Sequence, residues 1–264
     1  MKKSILTMLL MLLITCFSIL KAQVKEITFV CEDQQDFPNV IDSGDQIRSK
    51  NPGTAVDVIR LLEKRLNLKI NIKRVPWKRA LEVELKNGSV DGLFTASYNP
   101  AREEFGVYPK KDGKIDESRR YSSTTYNFYK LKGTKIDWDG KELKNFKGSI
   151  DAPRGYSIVD DLKKKGLTVE ESPSTVTSFK KLQAGRVQLV AALEYSGDNL
   201  IETSPEFKGK IEKVQNPIVT KPYYFIFSHQ FVKNHPELAE KIWNNLKEIR
   251  EKELNKIMAK YLTE

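Results

Sequence analysis

Cysteine and histidine are nearly absent from this sequence, with two of each in 264 residues. That scarcity excludes several kinds of chemistry. Cys16 lies in an N-terminal apolar run, so a chain without that run keeps only Cys31 and can close no internal disulfide. His229 and His235 fall near a strand end and a helix start, in no metal-ligand spacing. A zinc site is therefore not expected, and no metal, cofactor or catalytic residue is assigned. No serine–histidine–acid order stands out either. One-sided charge is also missing. The formal net charge is +10, yet the lysines alternate with acids, as in "KDGKIDESRR" and "KEIREKELNK". A nucleic-acid binder would gather its charge on one face with aromatics. This pattern reads as a solvated basic surface, and no nucleic-acid partner is expected.

Long hydrophobic runs are limited to one. Ile5 to Leu20 is almost continuously apolar, follows Lys2 and Lys3, and leads to Ala22 before Gln23. About 16 apolar residues is short for a membrane span of ~20. Residues 1–22 are expected to be a secretory signal peptide cut after Ala22. Cutting before Cys16 to leave a lipid anchor is the alternative, although Thr15 is larger than usual there. Three positive charges, Lys2, Lys3 and Lys21, leave with the peptide, and +7 of the +10 remain. Mild attraction to anionic surfaces or solutes follows from that balance.

What is present is a repeating α/β grammar. "ITFV", Ile27 to Val30, is a buried strand ending at Glu32 and Asp33, with Phe37-Pro38 beyond. Pro52-Gly53 breaks the chain, Thr54 can cap, and Ala55, Ile59, Leu62 and Leu66 recur at helical spacing. "LKINIK", Leu68 to Lys73, alternates as a half-buried strand. Pro76 suits a first helical turn, Trp77, Leu81 and Leu85 share a face, and Gly88 closes the helix. Val90 to Phe94 is the next strand. Strand and helix in alternation predict a parallel sheet with helices on its faces. The grammar returns 97 residues later, where "LQAGRVQLVAALE" aligns without gaps on "LKNGSVDGLFTAS". Later come "FKGSIDAPRGYSIVDDL", the apolar strand "YYFIFS" and a long helix from Pro236 to about Leu262.

In open parallel sheets, ligands bind beyond the carboxyl ends of the strands. Glu32 and Phe37 lie past the first strand. Thr95, Ser97, Tyr98 and Arg102 lie past the "VDGLF" strand, and Glu194 and Tyr195 past its counterpart. Trp77 and Arg79 sit at a helix start near the same rim, and "PRGYS" supplies Arg154, Gly155 and Tyr156. Tyrosines suit stacking and hydrogen bonding to a polar ligand. Arginine suits a carboxylate or phosphate.

In the segments "PGTAVDVIRLLEKRLNLKINIKRVPWKRALEVELKNGSVDGLFTASYNPAREEF", "FKGSIDAPRGYSIVDDL" and "KLQAGRVQLVAALE", the chain resembles the periplasmic solute-binding proteins of ABC importers, family 3, the polar amino-acid-binding type. The resemblance spans essentially the whole mature chain and rests on order and spacing. It implies a two-lobed α/β periplasmic-binding-protein fold of type II, with lobes joined by two crossing strands near Tyr126–Leu131 and Tyr223–Ser228. Lobe I would be residues 23–125 and 229–264, and lobe II residues 126–228. It further implies a periplasmic monomer that takes a small solute between the lobes and delivers it to a membrane ABC permease. A receptor partner would instead make it a sensor, and some relatives of this fold are dehydratases. In the family an arginine after the "VDG" strand clamps the ligand carboxylate, which implies that role for Arg102, although "NPAR" departs from the usual threonine–spacer–acid–arginine order. The helix after "PRGYS" would donate backbone N–H groups to a ligand anion. The usual second-lobe aspartates are missing. Gln188 and Leu193 stand in their places, leaving Glu194, and more weakly Asp198, to hold an ammonium.

Overall fold

A computed structural model describes residues 24–262. The expected signal peptide, residues 1–22, and Cys16 lie outside the described residues. The chain runs through β1 (Glu26–Glu32), α1 (Thr54–Leu66), β2 (Lys69–Val75), α2 (Trp77–Arg79, continuing as a π-helical stretch Ala80–Leu85) and β3 (Gly92–Ser97). A hairpin of β4 (Lys110–Lys111) and β5 (Lys114–Ile115) precedes the long β6 (Ser122–Leu131), and a second hairpin pairs β7 (Asp137–Trp138) with β8 (Leu143–Lys144). Then come β9 (Ile150–Pro153), α3 (Ser157–Lys164), β10 (Val169–Ser172), α4 (Thr175–Gln183), β11 (Leu189–Leu193), α5 (Glu194–Thr203) and β12 (Ile211–Lys213). The chain ends with β13 (Val219–Phe227), α6 (His229–Asn234), α7 (Pro236–Lys252) and α8 (Leu254–Leu262).

One nine-stranded sheet runs through the molecule in the order β10-β9-β11-β6-β13-β3-β1-β2, with β12 on β6. Its outer portions are parallel: β1 pairs with β2 and β3, and β9 with β10 and β11. The two central strands are antiparallel. Ser122–Tyr126 of β6 pair with Val219–Tyr223 of β13, just ahead of the crossings expected from sequence. Beyond that ladder each strand joins a different neighbour, β6 taking β11 and β13 taking β3.

The core divides accordingly. One apolar cluster joins α1, β1, β3 and the C-terminal helices through Phe29, Phe94, Phe225, Phe227 and Trp243. Another gathers around Phe128, Trp138, Ile150, Leu162 and Leu189 on the far side of the crossing strands. Strand β3 is buried on both faces, and a Cβ on Gly92 would lie 2.3 Å from the Phe29 ring. The internal repeat survives in geometry. Gly88 and Gly185 adopt φ of +68° and +67°, and each donates its N–H to the leucine three residues before it. Those left-handed glycines end two helices in one way and launch β3 and β11.

Three expectations change. Thr54 opens α1 rather than capping it, because Gly53 at φ +124° packs on the Asn39 carbonyl and Thr54 Oγ1 instead meets Asn39 and Tyr121. The expected single C-terminal helix breaks at Glu253, letting α8 turn back so that the Tyr261 hydroxyl donates to Asp57 at 2.7 Å. Strand β3 reaches Ser97, so Thr95 and Ser97 belong to the strand instead of following it.

Phe225 is fully buried and lies 5.6 Å from Phe29 and from Phe94 between ring centres. Phe225→Ala is expected to cost about 3–5 kcal/mol in urea unfolding. A loss below ~1 kcal/mol would contradict this packing.

Candidate functional site

The carboxyl ends of β1, β3 and β9 face one another across the crossing strands. Between them lies a narrow cavity of about 10 Å³, room for little more than one water molecule. Glu32, Asp36, Trp77, Thr95, Ser97 and Arg102 form one wall. Tyr156, Ser157 and Leu193 form the other, and Tyr126 and Tyr223 of the crossing strands close the floor. The floor tyrosines bond to each other through their hydroxyls at 2.8 Å.

Backbone irregularity aims Thr95 into this space. The register between β13 and β3 slips between Tyr224 and Ile226, and Thr95 adopts φ +62°. A β-branched residue in the left-handed region costs about 1–3 kcal/mol. Such bulges turn a strand and redirect a side chain beside binding sites.

Arg102 is buried, at 6% exposure. It is set by the short 3-10 turn Pro100–Glu104, where the Asn99 side chain accepts the Ala101 N–H at 3.0 Å. Its guanidinium donates to Ser97 O and Ser97 Oγ at 3.0 Å and to Gly155 O at 2.9 Å. It also lies 5.5 Å from the centre of the Trp77 ring. All three acceptors are neutral. A buried cation satisfied only by neutral oxygens is a ready receptor for an anion. Beside it Ser157 opens α3, whose N-terminus has no side-chain cap. Lys221 of β13 donates to Ser157 Oγ at 2.9 Å and pairs with Asp161. Unpaired N–H groups and the helix dipole favour negative charge at such an end.

The cavity lining also carries two acids. Burial above all, then repulsion by Asp36, pushes the Glu32 carboxyl well above the usual range. Burial likewise raises Asp36 to about 6, against the lowering effects of Asn39 and Thr95. The Tyr156 hydroxyl bonds to Glu32 across the cavity. Other contacts join the walls as well. Trp77 Nε1 donates to Gly155 O at 3.1 Å, Ser97 Oγ to Ser157 Oγ at 2.9 Å and Ser196 Oγ to Phe37 O at 3.2 Å. Gly155, at φ +74°, permits this approach, since a Cβ there would sit 2.7 Å from Lys78 Cγ.

Six of the expected site residues thus line one cavity: Glu32, Trp77, Thr95, Ser97, Arg102 and Tyr156. Gly155 meets it through its carbonyl. Phe37 and Tyr195 line an adjoining depression. Tyr98 lies against Tyr108 and donates to Glu103 at 2.9 Å. The Arg154 side chain is exposed. Glu194 pairs with Lys213 at 2.9 Å, and Arg79 with Glu84 at 3.0 Å. Glu194 follows Leu193, which takes the wall position, and the turn into α5 carries its carboxylate to the Lys213 side. Asp198 also pairs with Lys213. Sequence reasoning missed Asp36, Tyr126 and Tyr223. The tyrosines sit in apolar strands that read as core, and Asp36 lies in an irregular stretch. An acid beside Phe37-Pro38, at a strand's carboxyl end, was the available signal.

Asp36 sets a pH dependence. Its pKa in the folded protein, about 6, exceeds that of an unfolded aspartate, about 4. The folded state therefore holds a proton that the unfolded chain releases, and stability from this group falls as pH rises from about 4 to 6. The melting temperature of Asp36→Asn is expected to fall less than that of the wild type over that range. Parallel pH profiles would contradict the assignment.

Residues 41–264 match the bacterial extracellular solute-binding proteins, family 3. No curated protein sequence matches the chain. Among solved structures, a histidine kinase sensor domain with similarity to periplasmic binding proteins aligns with a TM-score of 0.73 at 15% identity, covering 92% of this chain and 98% of that one. An ancestral arginine-binding protein bound to glutamine gives 0.70 at 18% identity, covering 92% and 100%. The GluR0 ligand-binding core from Nostoc punctiforme, in complex with L-glutamate, gives 0.65 at 16% identity, covering 91% and 100%. At these identities the likeness is one of fold, and the fold is the two-lobed type II periplasmic-binding-protein fold expected from the sequence. With the family match running from residue 41 to 264, this chain belongs to the bacterial extracellular solute-binding proteins, family 3.

Proposed function

We propose that the protein captures a small amino-acid-like carboxylate between its lobes in the periplasm and delivers it to an ABC permease, without chemical change. The observation that carries this reading is Arg102, a buried guanidinium whose acceptors are all neutral and which faces the uncapped end of α3. A carboxylate placed there would receive a bidentate, charge-assisted contact. Similar structures agree in kind: the ancestral arginine-binding protein is bound to glutamine and the GluR0 ligand-binding core to L-glutamate. In this reading residues 23–125 and 229–264 form lobe I and residues 126–228 lobe II. Opening would pivot on the β6–β13 ladder. The bonds across the cavity hold the closed form.

A second reading has an observation behind it. The likeness to a histidine kinase sensor domain favours a role in presenting bound solute to a membrane receptor. Solute uptake in a deletion strain separates the two, since loss of uptake supports transport and normal uptake supports sensing.

Thermal-shift measurements with amino acids, small carboxylates, phosphates and oligosaccharides test the ligand class. A ligand at about 100 times its Kd adds ~2.7 kcal/mol to stability. Carboxylates are expected to stabilise the protein, and Arg102→Ala to weaken their binding by about 100-fold, or ~2.7 kcal/mol. Unchanged affinity in that variant would overturn the assigned role.

A further inference from the structure

Two carboxylates line the same cavity as Arg102. Glu32 is 7% exposed and Asp36 is 3% exposed. Asp36 Oδ2 accepts from Asn39 at 3.0 Å, while Oδ1 has no hydrogen-bond partner. The nearby guanidinium, Arg74, directs its N–H groups to the backbone oxygens of Glu32, Gln34, Asp42 and Gln46 at 2.8–3.3 Å. Asp33 adds charge of the same sign, and burial pushes the ionisation of Cys31, Tyr121, Tyr126, Tyr156 and Tyr223 upward, so these stay neutral. Arg102, on the same cavity, directs its hydrogen bonds to Ser97 and Gly155 and to neither carboxylate. The opposing wall offers Leu193, which has no charge. A buried carboxylate oxygen without a donor is costly, and two adjacent buried carboxylates resist ionising together.

We propose that Glu32 and Asp36 form a cation subsite for the ammonium group of an amino acid, and that the empty site holds one proton which the ligand displaces. The proposal rests on the cavity being the carboxylate-binding site described above. On binding, one carboxylic O–H of the pair breaks and its proton passes to the buffer. The incoming ammonium keeps its three protons and donates hydrogen bonds to the two carboxylates. The net charge of the subsite is then preserved. The raised proton affinity of both acids, caused chiefly by burial, accords with a proton held there in the empty state. Cation recognition thereby sits in lobe I, beside β1, and leaves Glu194 to its pair with Lys213.

Titration calorimetry near pH 6, in MES and in imidazole buffer, tests this with three pairs of probes. They are L-glutamine and 4-carbamoylbutanoate, L-glutamate and glutarate, L-leucine and 4-methylpentanoate. At least one amino acid is expected to bind about tenfold or more tightly than its counterpart lacking the ammonium. Its binding heat should differ between buffers by the amount that proton release requires. Asp36→Asn should reduce the preference to about threefold or less and abolish the release, with Glu32→Gln as the second variant if the first fails to fold. Equal affinity within every pair, or amino selectivity without proton release, would overturn the proposal while leaving the carboxylate site standing. Binding by none of the six would overturn that reading as well, and this proposal with it.

Discussion

A buried guanidinium without a counter-ion organises the centre of this molecule. Placing Arg102 in a low-dielectric cavity is tolerable only because Ser97 and Gly155 offer oxygens at hydrogen-bond distance. That need reaches outward. Trp77 lies against the guanidinium, and the Asn99-capped turn fixes the arginine's start. Gly155 must lack a side chain so that its carbonyl can approach both Trp77 and Arg102. The two walls of the cavity are thus joined through the same group that would receive a ligand's negative charge.

The crossing strands tie this cavity to both halves of the core. Strands β6 and β13 carry the sheet from one core to the other, and their tyrosines, Tyr126 and Tyr223, form the cavity floor. A few residues further along β13, the register slip opposite β3 turns Thr95 into the cavity. Strain in the backbone is held there by the packing of Phe94 and Phe225. The cavity and the crossing strands are parts of one ladder, so a lobe movement about those strands would involve residues of the cavity.

Much of this was legible in the sequence for a physical reason. Sheet and helix periodicities are local, and the paired glycines 97 residues apart mark the same helix ending twice. The rule that ligands gather at strand carboxyl ends singled out Thr95, Ser97 and Arg102, and all three line one cavity. What local patterns do not carry is direction. Glu194 opens α5 directly after β11, so the turn between them separates Leu193 at the wall from Glu194 at its lysine. The Asp36 segment has no periodicity, and its burial comes from β1, Thr95 and Asn39 meeting in space. Tyr126 and Tyr223 look like core because they are core, with only their hydroxyls turned to the cavity.

The most direct measurement is a crystal structure of the protein grown with the carboxylate that stabilises it most. The account predicts the ligand carboxylate within hydrogen-bond distance of Arg102 and the first N–H groups of α3, between the two lobes. Density for the ligand elsewhere, with Arg102 still bonded only to Ser97 and Gly155, would contradict it.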